Sequence, residues 1–201
     1  MGLPARKADR RYTYRDYRSW PEDERWELIA GVAWNMSAAP SVDHQRISME
    51  LSWRIRTFLE GKPCEVLAAP VDVFFPQSRE QDVDDVEDVV QPDLLVVCDH
   101  EKITHRGCWG APDWVIEIIS PYTSHKDMNA KLSLYERHGV GEYWIVDPGN
   151  RCVHVHLLGE DGRYPEPLVR VAPDPISSST CNGLTIDLAE LFGRHDIDGR
   201  A

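Results

Sequence analysis

The stretch QPDLLVVCDH, residues 91–100, decides how this chain is read. Leu94, Leu95, Val96 and Val97 form a continuous apolar run, the pattern of a strand covered on both faces. Asp93 stands at its mouth. A second such run follows in APDWVIEIIS, residues 111–120, where Glu117 interrupts Trp114, Val115 and Ile116 before Ile118 and Ile119. Period-two alternation puts Asp93, Leu95 and Val97 on one face of the first strand, and Val115, Glu117 and Ile119 on one face of the second. Burying a lone carboxylate costs several kcal/mol unless it is paired, hydrogen-bonded, protonated or bound to a metal. Two carboxylates on neighbouring central strands repel each other unless a cation lies between them, and hard oxygen ligands suit Mg2+ or Mn2+.

Outward from these strands, the pattern is that of one α/β domain. TYRDYRSW predicts a short helix capped by Thr13, and RWELIAGVAWNM a hairpin about Ala30 and Gly31. From Ser41 or Asp43 to Leu59, the residues Ile47, Leu51, Ile55, Phe58 and Leu59 recur at helical spacing, with Gly61 as the stop. Strands are predicted at 64–68 and 71–75. The segment 77–91 lacks periodicity, and its EQDVDDVED (80–88) carries six acids and no base, so it reads as a solvated, mobile loop. A helix over 125–138, capped by Ser124 with Asp127 in its first turn, ends at Gly139. EYWIVD and CVHVHLL are strands joined by a DPGN turn; another strand near 163–171 and a short helix in DLAELF close the chain. This order predicts a mixed β-sheet flanked by helices over residues 1–201, preceded by a basic, solvated tail of about residues 1–11.

With 201 residues and 42% hydrophobic content, the chain supplies one real core. No apolar run approaches the ~18 residues of a membrane span. Basic residues near the N-terminus are followed by no apolar block, so no signal peptide is expected. Five cysteines without CxxC pairs predict reduced thiols in a cytoplasmic protein. A net charge of −12 excludes a general basic coat for nucleic acid but not a nuclease, whose acids serve a metal site. Cys98, His100, His105 and Cys108 match no common zinc spacing, and His154 with His156 reads as decoration of an exposed strand edge. Trp53, Phe58, Tyr14, Tyr17 and Trp20 read as packing residues rather than base-stacking platforms. The acids of 80–88 read as a flexible rim, or as a gate against nonspecific duplex.

A positive group belongs near the acids if the ligand is a phosphate. On the 125–138 helix, Met128, Leu132 and Tyr135 define the buried stripe, and Lys131 falls at its edge, able to reach across the sheet. Pairing with Asp127 one turn earlier is the simpler role, and the two coexist.

These residues carry a resemblance. QPDLLVV and GAPDWVIEIISPYTSHKDMNAKLSLYERHGVGEYWIVDP, with WELIAGVAWNMSAAPSVDHQRIS before them and GLTIDLAELF after, resemble a prokaryotic family described as "putative restriction endonuclease", itself similar to the PD-(D/E)XK nuclease superfamily. The likeness runs from about residue 12 to 192. It implies a restriction-endonuclease-like fold and a homodimer that hydrolyses DNA phosphodiesters with Mg2+ (or Mn2+). Pro92 and Asp93 match the "PD" and Glu117 the "(D/E)"; Ile119 occupies the usual lysine position, and Lys131 matches its migrated place on the next helix. Glu27, His44 and Asp127 match further recurrent positions as second-tier site residues. By the same resemblance, Asp93, Glu117 and the backbone carbonyl of Ile118 hold the metal, and Lys131 orients the attacking water. Two rivals stand beside this reading. One is a catalytically silent nucleic-acid-binding or protein-interaction module; the other is a metal-dependent hydrolase of RNA or another phosphodiester.

Overall fold

Asp93 heads its strand where the chain passes from one β-sheet into another. The structure, a computed structural model, describes residues 6–7, 10–21, 24–36, 40–119 and 125–193; the side chains of residues 6, 7 and 125–127 lie outside the described set. The chain begins with β1 (Arg6–Lys7), α1 (Tyr14–Tyr17), β2 (Trp26–Ile29), β3 (Val32–Asn35) and α2 (Val42–Leu59). Next come β4 (Glu65–Ala68), β5 (Val73–Phe74), β6 (Val89–Val90), β7 (Leu94–Val97), β8 (Ile103–Thr104), β9 (Gly107–Trp109) and β10 (Trp114–Ile118). It ends with α3 (His125–His138), β11 (Glu142–Asp147), β12 (Cys152–Leu157), β13 (Leu168–Val171), β14 (Pro175–Ser177), β15 (Thr185–Asp187) and α4 (Leu188–Gly193).

The mixed α/β class anticipated from the strand order is present, with its strands divided between two sheets. One sheet has the order β1-β3-β2-β6-β5-β9-β8 and the other β13-β12-β11-β10-β7-β4, while β14 and β15 form a separate hairpin. In the second sheet β10 runs parallel to β11 and antiparallel to β7. Several strands of the first sheet are two or three residues long, too short to leave a period in the sequence.

Both central strands are covered on both faces, which is why they read as unbroken apolar runs. On one side α2 buries Ile47, Leu51, Ile55 and Leu59, and Trp114 and Trp144 meet edge to face with centroids 4.6 Å apart. On the other, Leu134 and Tyr135 of α3 pack with Leu95, Val97, Val115 and Tyr143. Each of the fully buried aliphatic side chains contributes roughly 1.5–3 kcal/mol. Caps and turns agree with the sequence. Ser41 accepts a hydrogen bond from the His44 amide at 3.2 Å, and Ala30 and Gly31 turn the β2–β3 hairpin at φ 51° and 70°. The predicted Ser124 cap lies outside the described residues.

Five expectations are corrected. The 77–91 segment is not a free loop: Val86, Val89 and Val90 are buried, and β6 joins β2 and β5. Its acids meet the basic N-terminal segment, through Arg11 with Glu87, Arg15 with Asp85 at 3.3 Å and Arg18 with Asp84 at 2.8 Å. The flexible-rim reading fails for that reason. The basic tail is likewise placed in part, since β1 pairs with β3. Reduced thiols throughout are not observed, because Cys64 and Cys98 form a disulfide; Cys108, Cys152 and Cys181 are free and buried. The β4–β7 register sets Glu65 opposite Val97, so the next pair outward is Cys64 and Cys98. That bond also removes Cys98 from any zinc set. Trp53 is exposed rather than packed, and His156 is buried against Tyr143 at 5.7 Å rather than lying on an open edge. No described helix is long and apolar enough to cross a membrane.

Candidate active site

The passage between the sheets is made by Gln91, Pro92 and Asp93, directly after β6 and before β7. Gln91 anchors it: its amide donates to Glu27 Oε1 at 2.9 Å, its side-chain amide to Asp72 at 2.8 Å, and its side-chain oxygen accepts from Arg25 at 2.8 Å. Asp93 is therefore held where the two sheets meet. The β7–β10 register pairs Leu95 with Val115 and Leu94 with Ile116, and its continuation by one residue sets Asp93 opposite Glu117.

Four elements converge here. Asp93 Oδ2 accepts the Ile118 amide at 2.8 Å and lies 3.1 Å from His44 Nε2, in the first turn of α2. Lys131, on α3, sits 2.8 Å from Glu117 Oε1 and 2.9 Å from Glu27 Oε1, the latter on β2 of the other sheet. Tyr135, one turn beyond Lys131, donates its hydroxyl to the same Glu117 Oε1 at 2.7 Å. Asp93, Glu117, Lys131, His44 and Glu27 are thus brought together; the Asp127 side chain lies outside the described residues. Tyr135 was read from sequence as core only. Its i,i+4 spacing from Lys131 is the signal that places it on the same helix face.

The electrostatics follow from two acids, Glu27 and Glu117, sharing one ammonium beside a third, Asp93, that takes His44 as its partner. Burial pushes the Glu117 carboxyl up, Lys131 opposes that, and the charges of Asp93 and Glu27 push it up again, so its pKa stands above the ordinary value. For Lys131, burial is outweighed by Glu117 and Glu27, and the group stays charged. Burial likewise lowers the His44 imidazole, but the hydrogen bond and charge of Asp93, the charge of Glu117 and the Ile118 backbone raise it above the ordinary histidine value. Three carboxyl groups thus face one lysine and one histidine, and the neighbouring Asp93 and Glu27 charges add to burial in raising Glu117.

Among the described residues, no donor reaches Asp93 Oδ1, Glu117 Oε2 or Glu27 Oε2. Each acid has one oxygen occupied by donors and one left open. Such a donor set fits a hard divalent cation. No group of three or more described His, Cys, Asp and Glu side chains is arranged to hold a metal by itself, so a cation here would draw on two carboxylates, backbone and water.

Residues 14–189 match the Uma2 family model, whose description is "Putative restriction endonuclease". The chain belongs to the Uma2 family. An uncharacterised protein of Synechocystis is similar to this chain, 24% identical over 152 residues that cover 74% of this chain and 75% of that one. A crystal structure from Anabaena variabilis, described as a putative nuclease belonging to DUF820, is similar in fold. It has a TM-score of 0.71 and 21% identity, and the match covers 90% of this chain and 97% of that one. This Uma2 chain therefore has a nuclease-like mixed α/β fold, as the resemblance implied.

Proposed function

We propose that this Uma2 protein is a Mg2+-dependent endonuclease that hydrolyses DNA phosphodiesters, with Mn2+ as an alternative cofactor. One observation carries the reading: Glu117 and Glu27 share the ammonium of Lys131 at the junction of the sheets, Asp93 stands beside them with His44 as its partner, and each of the three acids has an oxygen left open. A structural ion pair has no need of such an excess of acid. Membership of a family whose description is "Putative restriction endonuclease" supports a nucleic-acid substrate.

In this reading Asp93, Glu117 and the Ile118 carbonyl hold the cation. A divalent ion so held supplies Lewis-acid polarisation of the phosphodiester and a lowered pKa for water. Lys131 spends two of its three N–H donors on Glu27 and Glu117, and the third orients the attacking water or offsets charge growing on the phosphate. Water adds to phosphorus, one P–O ester bond breaks, and the leaving oxygen takes up a proton. His44 steadies Asp93, and Glu27 sets the height of Lys131. Two copies acting as a homodimer provide one site for each strand of a duplex. A cytoplasmic setting is part of the same proposal, resting on the restriction-endonuclease description of the family and not on the thiols, since Cys64 and Cys98 are bonded.

The silent-module reading has its own support, since Lys131 is already held by two carboxylates. Cleavage of plasmid and single-stranded DNA with Mg2+, Mn2+ or EDTA separates the readings, with Asp93→Ala, Glu117→Ala and Lys131→Ala alongside the native chain. Metal-dependent nicking lost in each variant is the expected result. DNA binding without cleavage favours the silent module, cleavage of RNA alone favours the other hydrolase, and no binding of DNA or divalent metal removes the nuclease reading.

A further inference from the structure

Buried acids in this fold come in two kinds. Glu142 uses both oxygens: Oε1 accepts from Trp144 Nε1 at 2.7 Å and the Ser179 amide at 3.2 Å, Oε2 from Ser178 Oγ at 2.9 Å and the Thr180 amide at 2.7 Å. Asp88 does the same, with Oδ1 on the Ala30 amide and Oδ2 on Arg137 and His138. Glu117 instead concentrates both of its donors, Lys131 and Tyr135, on Oε1. Asp93 concentrates both of its partners on Oδ2.

We propose that Tyr135 is a positioning residue that sets the rotation of Glu117, so that its open oxygen is presented toward Asp93 for a divalent cation. This rests on the cation site of the preceding subsection. Lys131 alone does not define that rotation, because its flexible stem carries a rotatable ammonium that is shared with Glu27 at 2.9 Å. The Tyr135 hydroxyl comes from a rigid ring that is fully buried and wedged against Tyr143 at 4.8 Å and Phe75 at 6.1 Å. A fixed donor on one carboxylate oxygen leaves the other in a fixed place. Partners of this kind govern ligand orientation, and their loss costs metal affinity while the ligand itself remains.

The test is Tyr135→Phe in the full chain, with Mn2+ binding measured by calorimetry or electron paramagnetic resonance without DNA, and cleavage measured against Mg2+ concentration. The expected result is a Mn2+ affinity about 10-fold weaker. The half-saturating Mg2+ concentration rises by a similar factor, while the rate at saturating Mg2+ changes little. Tyr143→Phe removes a second buried hydroxyl from the same core and is the packing control, with Mn2+ affinity expected to be unchanged. Should Tyr135→Phe fail to fold, Tyr135→Met fills the space flexibly and is read the same way. Native Mn2+ affinity in the folded variant overturns the positioning role alone, as does an equal loss in Tyr143→Phe. A native chain that binds no Mn2+ and cleaves no DNA overturns the cation site together with it.

Discussion

Lys131 on α3 reaches Glu27 on β2 at 2.9 Å, so one ammonium joins the helix that covers one sheet to a strand of the other. Its second carboxylate, Glu117, lies at 2.8 Å in the second sheet. A cation so placed joins the two sheets, while Asp93 beside it takes His44 as its partner at 3.1 Å.

That asymmetry separates stability from chemistry. Lys131→Met leaves two buried carboxylates without a partner and is expected to cost about 3–5 kcal/mol in urea denaturation. Glu117→Gln relieves repulsion in an acid-rich cluster and is expected to be neutral or stabilising, yet to lose cleavage. A Glu117→Gln protein markedly less stable than the native chain contradicts the excess-acid account.

Glu142 is the opposite case, an acid whose work is structural. It is 1% exposed and ties β11 to the loop that closes the β14–β15 hairpin through Ser178, Ser179 and Thr180. Glu142→Gln turns an amide N–H2 toward donors and is expected to cost about 2–4 kcal/mol, with cleavage at low temperature retained. Denaturation midpoints, with cleavage rates taken at a temperature where the variant is folded, check both halves.

Acid sensitivity is expected at Asp88. Burial raises its carboxyl, but the His138 hydrogen bond, the Ala30 amide and Arg137 outweigh that and hold the pKa below the ordinary value. A depressed folded-state pKa stabilises above the unfolded value, and that stability is lost as pH falls through the folded one. Thermal melts of the native chain and Asp88→Asn are expected to differ most at neutral pH and to converge below pH ~4. Parallel curves across that range exclude Asp88 as the source.

The Cys64–Cys98 bond is expected to leave three titratable thiols in the denatured, unreduced protein and five after reduction. It closes a loop with a sequence separation of 34, and reduction is expected to lower stability by roughly 2–4 kcal/mol. Five thiols without reductant rule the bond out in solution.

The sequence by itself determined what depends on local burial. Continuous apolar runs marked β7 and β10 as central, helical spacing marked α2 and α3, and period-two alternation set Asp93 with Leu95 and Glu117 with Val115 on one face of each strand, with Lys131 at the edge of its helical stripe. Only the tertiary structure decided the partners. Arg11 and Glu87 are 76 positions apart, and nothing periodic records their pairing, so Asp84, Asp85 and Glu87 read as solvated until the fold places arginines on them. The same holds for Tyr135, which looks like any core aromatic until its hydroxyl meets Glu117, and for Cys64 and Cys98, set opposite by a register that neither strand shows alone. Burial leaves a period in the chain because it repeats with each turn or pleat. A single hydrogen bond or ion pair between distant elements does not.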